Sequence, residues 1–260
     1  TVTQALLHSN LAEIVWVEID EVVLQLAAEH FPRLAAAQRD PRVTLRVEDA
    51  AAYVRRTVNA REPRARIDSL NGGSSNGNGG SNNFRANVDA PTLFDAILID
   101  STDANAAESL FTDGFYADCR ALLAPGGVLA YNVDSPQWNL EWVAHAHAQA
   151  ARLFVHAHLF SVYQPTYASG HFSFLLASDA VHPFRTSPDW HAYHAKAIPT
   201  TYYTPDMHIA SFLLPAALHA ALPGASLSLH ELAPVLFPAH PAAAQARRTS
   251  EDKAADAKQP

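Results

Sequence analysis

Phe94-Asp95-Ala96-Ile97-Leu98-Ile99-Asp100-Ser101-Thr102-Asp103 is an apolar strand core that ends in two carboxylates three positions apart. In open α/β sheets, ligands sit outside the carboxyl ends of the strands. Two acids placed there suit a cationic substrate, or a nucleophile that must lose a proton. Working outward, the pattern repeats. Glu13 to Asp20 is a short apolar run that also ends in acids. Glu21 to Phe31 then carries apolar residues at helical spacing, Val22, Val23, Leu26 and Ala27, and Pro32 stops it. Val43 to Val47 is a second strand, running into Glu48-Asp49, with a helix from Ala50 to Val58 behind it. Leu110 to Leu123 reads as a helix closed by Pro125-Gly126-Gly127. Val128 to Val133 is the next strand, with Asn132 and Asp134 at its end. A helix from Leu140 to Leu153 precedes strands Val155 to Tyr163 and Phe172 to Ala177, joined by the tight turn Pro-Thr-Tyr-Ala-Ser-Gly.

Strands alternating with helices predict a doubly wound, mostly parallel α/β sheet, here closed by an antiparallel hairpin. Residues 1–237 read as one domain. Residues 60–92 are an insertion containing the polar tract Asn71 to Asn83, N-G-G-S-S-N-G-N-G-G-S-N-N, which has no apolar residue to bury. Residues 238–260, rich in Ala, Lys and Asp, read as a disordered tail.

The 260 residues are 48% hydrophobic and carry a formal net charge of −8. That supports one sizeable core and disfavours a nucleic-acid surface. The single cysteine, Cys119, cannot form an internal disulfide, which fits a reducing, cytoplasmic setting. No apolar run approaches the ~20 residues of a membrane span. Met207 is the only methionine, so Thr1 reads as the start of a processed chain or of a fragment.

The strand ends carry Glu18 and Asp20, Asp49, Asp100 and Asp103, and Asn132 with Asp134. An acid after a strand is often the N-cap of the following helix. Consecutive strands ending this way favour a ligand edge instead, and Glu18 stands where such folds receive a ribose.

At this level the chain resembles the polyamine aminopropyltransferases, the spermidine/spermine synthase family. The pieces that carry the resemblance are V-E-I-D-E (Val17 to Glu21), D-P-R-V-T-L-R-V-E-D (Asp40 to Asp49), F-D-A-I-L-I-D-S-T-D (Phe94 to Asp103), A-E-S-L-F-T (Ala107 to Thr112), P-T-Y-A-S-G (Pro165 to Gly170) and Y-Y-T-P-D-M-H-I-A-S-F (Tyr202 to Phe212). They occur in the family's order. The resemblance implies a Rossmann-like sheet of the S-adenosylmethionine-methyltransferase type. It implies transfer of an aminopropyl group from decarboxylated S-adenosylmethionine, a co-substrate rather than a resident cofactor, to a diamine, with putrescine to spermidine the default. By resemblance, Glu18 binds the donor's ribose hydroxyls, and Asp49, with Ala50 after it, receives the adenine amino group. Asp100 is the proton acceptor. Asp103, Ser101, Asn132 and Tyr167 hold the amine. A homo-oligomer is implied as well.

The sequence also departs from the family. The glycine-rich G-G-G-D-G loop would lie just before Thr1, so the first strand is expected to be missing between the Glu18 and Asp100 strands. Asp103 is followed by Ala104-Asn105-Ala106-Ala107 where the family has Pro-x-Gly-Pro, which loosens the loop. Ala50 stands for the usual glycine and Asn132 for the usual glutamine. Two alternative readings follow: a catalytically impaired homologue that regulates or binds, and a methyltransferase on the same fold. The pairs His145/His147, His156/His158 and His191/His194 lack an evident third ligand, so no metal is expected.

Overall fold

A computed structural model describes residues 1–70, 93–101, 107–183 and 190–225. The elements run α1 (Val2–Ala5), β1 (Ile14–Glu18), α2 (Glu21–His30), α3 (Pro32–Ala35), β2 (Val43–Val47), α4 (Ala50–Leu70), β3 (Phe94–Ile99), α5 (Asp113–Leu122), β4 (Leu123–Asp134), α6 (Leu140–Leu153), β5 (His156–Tyr163), β6 (His171–Ser178), α7 (Trp190–Lys196), α8 (Pro205–Ser211) and α9 (Ala216–Ala221). The architecture is α/β with open sheets, as the alternation of strands and helices predicts. Two compact units share it: Thr1–Ile97 with Thr102–Ala124, and Leu98–Ser101 with Pro125–Pro260.

In the first unit, β1 and β2 pair in parallel, with Glu18 opposite Val47. The N-terminal segment is tied down by Arg42, whose guanidinium donates to the Leu6 carbonyl at 3.1 Å and to both Asp40 oxygens at 2.9–3.0 Å. That hydrogen-bonded pairing holds the Asp40 carboxyl at about 2. The core of this unit gathers on α5, where Phe115, Cys119 and Leu122 follow helical spacing and are buried. Asp118 on the same helix pairs with Arg55 of α4 at 2.8 Å.

The larger sheet has the order β3-β4-β6-β5, with β4–β6 and β5–β6 antiparallel. Leu129, Tyr131 and Val133 on β4 and Leu175 and Ala177 on β6 alternate into the core at period two. Val143, Ala146 and Ala150 of α6 are buried too, and the Tyr131 hydroxyl donates to the Ala146 carbonyl at 3.3 Å. Leu175 is fully buried and lies in register with Tyr131 and Leu159. Leu175→Ala is expected to cost about 2–5 kcal/mol of stability, read from the urea midpoint at unchanged m-value.

The signature Tyr202 to Phe212 serves packing. Phe212 is buried against Phe160, Leu176 and Ile209. The Tyr202 hydroxyl accepts from the Tyr163 amide at 2.9 Å. His208 sits between the Tyr203 hydroxyl and the Pro183 carbonyl, at 3.3 Å from each. Burial pushes the His208 imidazole below its ordinary value of 6.5. The unfolded chain then binds a proton that the fold refuses, so stability falls as pH drops through 6.5 and below. Melting temperature should decline on going from pH 7.5 to 5.5, and His208→Gln should flatten that decline.

Local boundaries differ from the sequence reading for identifiable reasons. The helix expected from Leu110 begins at Asp113, because the Thr112 hydroxyl accepts from the Phe115 amide at 3.1 Å and caps it. Glu108–Phe111 before it is a 3₁₀ turn. β4 starts at Leu123 and runs through the expected Pro-Gly-Gly breaker, with Gly126 at φ +82°. α4 continues past Val58 to Leu70, across Pro63 and into the expected insertion. Among the described residues the strands form two open sheets, β1-β2 and β3-β4-β6-β5, with the expected antiparallel hairpin in the second. The polar tract and the tail from residue 238 lie outside the described residues.

Candidate functional site

Glu18, Asp49 and Ala50, expected on the donor side, belong to the first unit. β1 and β2 are adjacent and parallel, so Glu18 and Asp49 close neighbouring strands. The Glu18 carboxylate accepts from the Asp20 amide at 3.0 Å through one oxygen. Asp20 in turn caps α2, accepting from the Val22 amide at 2.8 Å. Asp49 accepts from the Ala52 amide at 2.7 Å, so it is an N-cap of α4 as well as a candidate ligand. Glu18 and Asp49 each accept these bonds through one carboxylate oxygen, and a carboxylate has further acceptor capacity for a ligand hydroxyl or amine. Ala50 is the first residue of α4. Glu48 points its charge elsewhere, pairing with Arg56 at 2.8 Å, which lowers the Glu48 carboxyl.

Asp100, Ser101, Asn132 and Tyr167, expected on the amine side, belong to the second unit. Asp100 follows β3 and is exposed. The side-chain amide of Asn132 donates to the carbonyl of Ser101 at 2.8 Å. That bond ties the end of the β3 segment to the end of β4, next to the candidate base. Asp134, which closes β4, has φ +78°, a left-handed conformation that is rare for a residue with a Cβ. The register of β4 shifts between Asn132 and Asp134. The Asp134 carboxylate accepts from the Ser135 amide and from the Asn139 side chain, which stabilises the bend. Backbone outliers of this kind concentrate at functional sites.

Tyr167 is half exposed on the β5–β6 turn, its ring 5.0 Å from that of Phe172. Gly170 at φ +67° closes the turn through bonds from its amide to the Tyr167 carbonyl and from the Gln164 amide to its own carbonyl. Asp103 and the loop after it lie outside the described residues.

The sequence reading paired His156 with His158 but missed His182 beside them. His156 and His158 share a face of β5, as strand alternation requires, and His182 joins them with ring centroids 5.3 and 4.8 Å away. No group of three His, Cys, Asp or Glu among the described residues is arranged to hold a metal. Burial raises the Cys119 thiol to about 12, which leaves it unreactive. Among the described residues no helix is long and apolar enough to cross a membrane.

The spermine/spermidine synthase domain matches residues 1–68 and 78–186. A polyamine aminopropyltransferase of Clostridium beijerinckii is 28% identical over 227 residues, covering 86% of this chain and 68% of the relative. One from Leptospira biflexa is 28% identical over 218 residues, covering 83% and 64%. The chain thus spans about two thirds of the length of these relatives. The spermidine synthase of Thermotoga maritima superposes with a TM-score of 0.66 at 25% identity, over 84% of this chain and 62% of that one. A spermidine synthase in complex with the transition-state analogue AdoDATO has the same fold, at a TM-score of 0.68 and 24% identity over 84% and 63% of the two chains.

Proposed function

Because this chain belongs to the spermine/spermidine synthase family, we propose that it transfers the aminopropyl group of decarboxylated S-adenosylmethionine to a diamine, putrescine by default. The observation that carries the proposal is the exposed Asp100 at the end of β3, with the following residue held by Asn132. The donor is a sulfonium. Attack by a primary amine forms a C–N bond, breaks the C–S bond and leaves the electron pair on sulfur, so methylthioadenosine departs neutral. An alkylamine has a pKa near that of lysine, ~10.4, and is mostly ammonium at pH 7. Its lone pair is occupied until a base within hydrogen-bond reach takes the proton. Asp100 has that role in the proposal. Asp103 and Tyr167 would receive the far ammonium by charge and by the ring quadrupole, and Ser101 and Asn132 would line the amine. Glu18 would accept from the ribose hydroxyls, and Asp49, with Ala50, would meet the adenine. A cytosolic homo-oligomer fits this reading.

A binding experiment separates it from methyl transfer on the same fold. Decarboxylated S-adenosylmethionine should bind the full-length protein at least about tenfold more tightly than S-adenosylmethionine, since no cationic group faces the donor's carboxylate in the proposal. Equal binding, or preference for the carboxylated form, would refute it.

A further inference from the structure

Two buried polar atoms at the end of β4 set Ser135, a residue that the motifs do not mark, beside Asn132 in the chain. Asn132 Oδ1 and Ser135 Oγ are inaccessible and have no hydrogen-bond partner among the described residues. They flank the bend at Asp134. A buried acceptor without a partner is costly, and in native proteins it calls for a bound group or a functional reason.

The polarity of the pair can be read from the bonds around it. The Ser101 carbonyl can only accept, so the nitrogen of the Asn132 side chain must face it, as it does at 2.8 Å. Oδ1 is therefore the outward atom of that amide, and it can only accept. Ser135 is fixed through its backbone. Its amide donates to Asp134, and its carbonyl accepts from the amides of Trp138 at 3.1 Å and Asn139 at 2.9 Å. The hydroxyl is its one unspent group, and the residue is only 3% exposed. Asn132 Oδ1 can only accept and the Ser135 hydroxyl can accept or donate, so the pair can take a ligand N–H.

Resting on the aminopropyl-transfer reading, we propose that Ser135 is an amine-binding residue. With Asn132 Oδ1 it forms a neutral N–H-accepting subsite at the end of β4 that orients the diamine beside Asp100. Neutral acceptors suit that task. They hold the nitrogen in place without stabilising the ammonium as a second carboxylate would, so the proton still leaves for the base.

The test uses the full-length protein with putrescine, Ser135→Ala and Ser135→Thr. Removing an unsatisfied hydroxyl should leave the melting temperature of the ligand-free protein equal or raise it. The diamine KM should rise about tenfold in Ser135→Ala, with the donor KM within about twofold and the diamine KM restored in Ser135→Thr. An unchanged diamine KM would overturn the proposal. So would a joint rise of both KM values with a lower melting temperature, because that is the signature of a merely structural serine. If the parent protein transfers no aminopropyl group, the catalytic reading fails by itself. Calorimetric titration with putrescine then decides the subsite: weaker binding by Ser135→Ala than by the parent upholds it, and equal or absent binding overturns it.

Discussion

Asp100→Asn is expected to lower kcat by about 10²–10⁴-fold with the donor KM nearly unchanged, the range typical of removing a positioned general base. The substitution keeps the shape of the side chain and its place after β3. It removes the ability to take a proton. The variant must then draw on the amine already neutral in solution, about one part in 10³ at pH 7 for a pKa of ~10.4. Its rate should climb by about tenfold per pH unit between pH 7 and 9, while that of the parent changes less. Stopped or quenched assays at three pH values measure both slopes. Parent-like turnover in the variant would remove Asp100 from the mechanism.

Glu18→Gln should raise the donor KM by about 10–100-fold and leave the diamine KM alone. Hydrogen bonds to a charged acceptor contribute about 1.5–3 kcal/mol each, against about 1 for a neutral one, and a ribose offers two hydroxyls. The glutamine oxygen can still accept from the Asp20 amide, which Glu18 Oε1 does at 3.0 Å, so the cap of α2 survives. Initial-rate kinetics with the donor varied, alongside a circular dichroism spectrum, separate a binding defect from misfolding.

The strand ends were legible in the sequence because an apolar run followed by acids is a local pattern. Ile14–Glu18, Val43–Val47 and Phe94–Ile99 lie where their apolar runs put them. Helix α2 shows where that legibility stops. Its 3.6-residue period was plain, yet Val22, Val23 and Leu26 are about half exposed, since periodicity finds an apolar face without saying what covers it. β4 runs through Pro125-Gly126-Gly127, where Gly126 adopts φ +82°, a conformation open to a residue without a Cβ. The dual use of Asp49 could not be resolved from one sequence: a cap and a ligand ask for the same residue type in the same place. Ser135 carried no signal at all. Its candidacy depends on which of its groups the bend at Asp134 has already used, and that is a property of the fold.

The central claim is tested most directly by product analysis. Full-length protein is incubated with decarboxylated S-adenosylmethionine and putrescine, and the mixture is resolved by mass spectrometry. The account predicts spermidine and methylthioadenosine in equal amounts, both absent with Asp100→Asn on the same timescale. No polyamine product from any diamine, or the same product yield from the parent and Asp100→Asn, would contradict it.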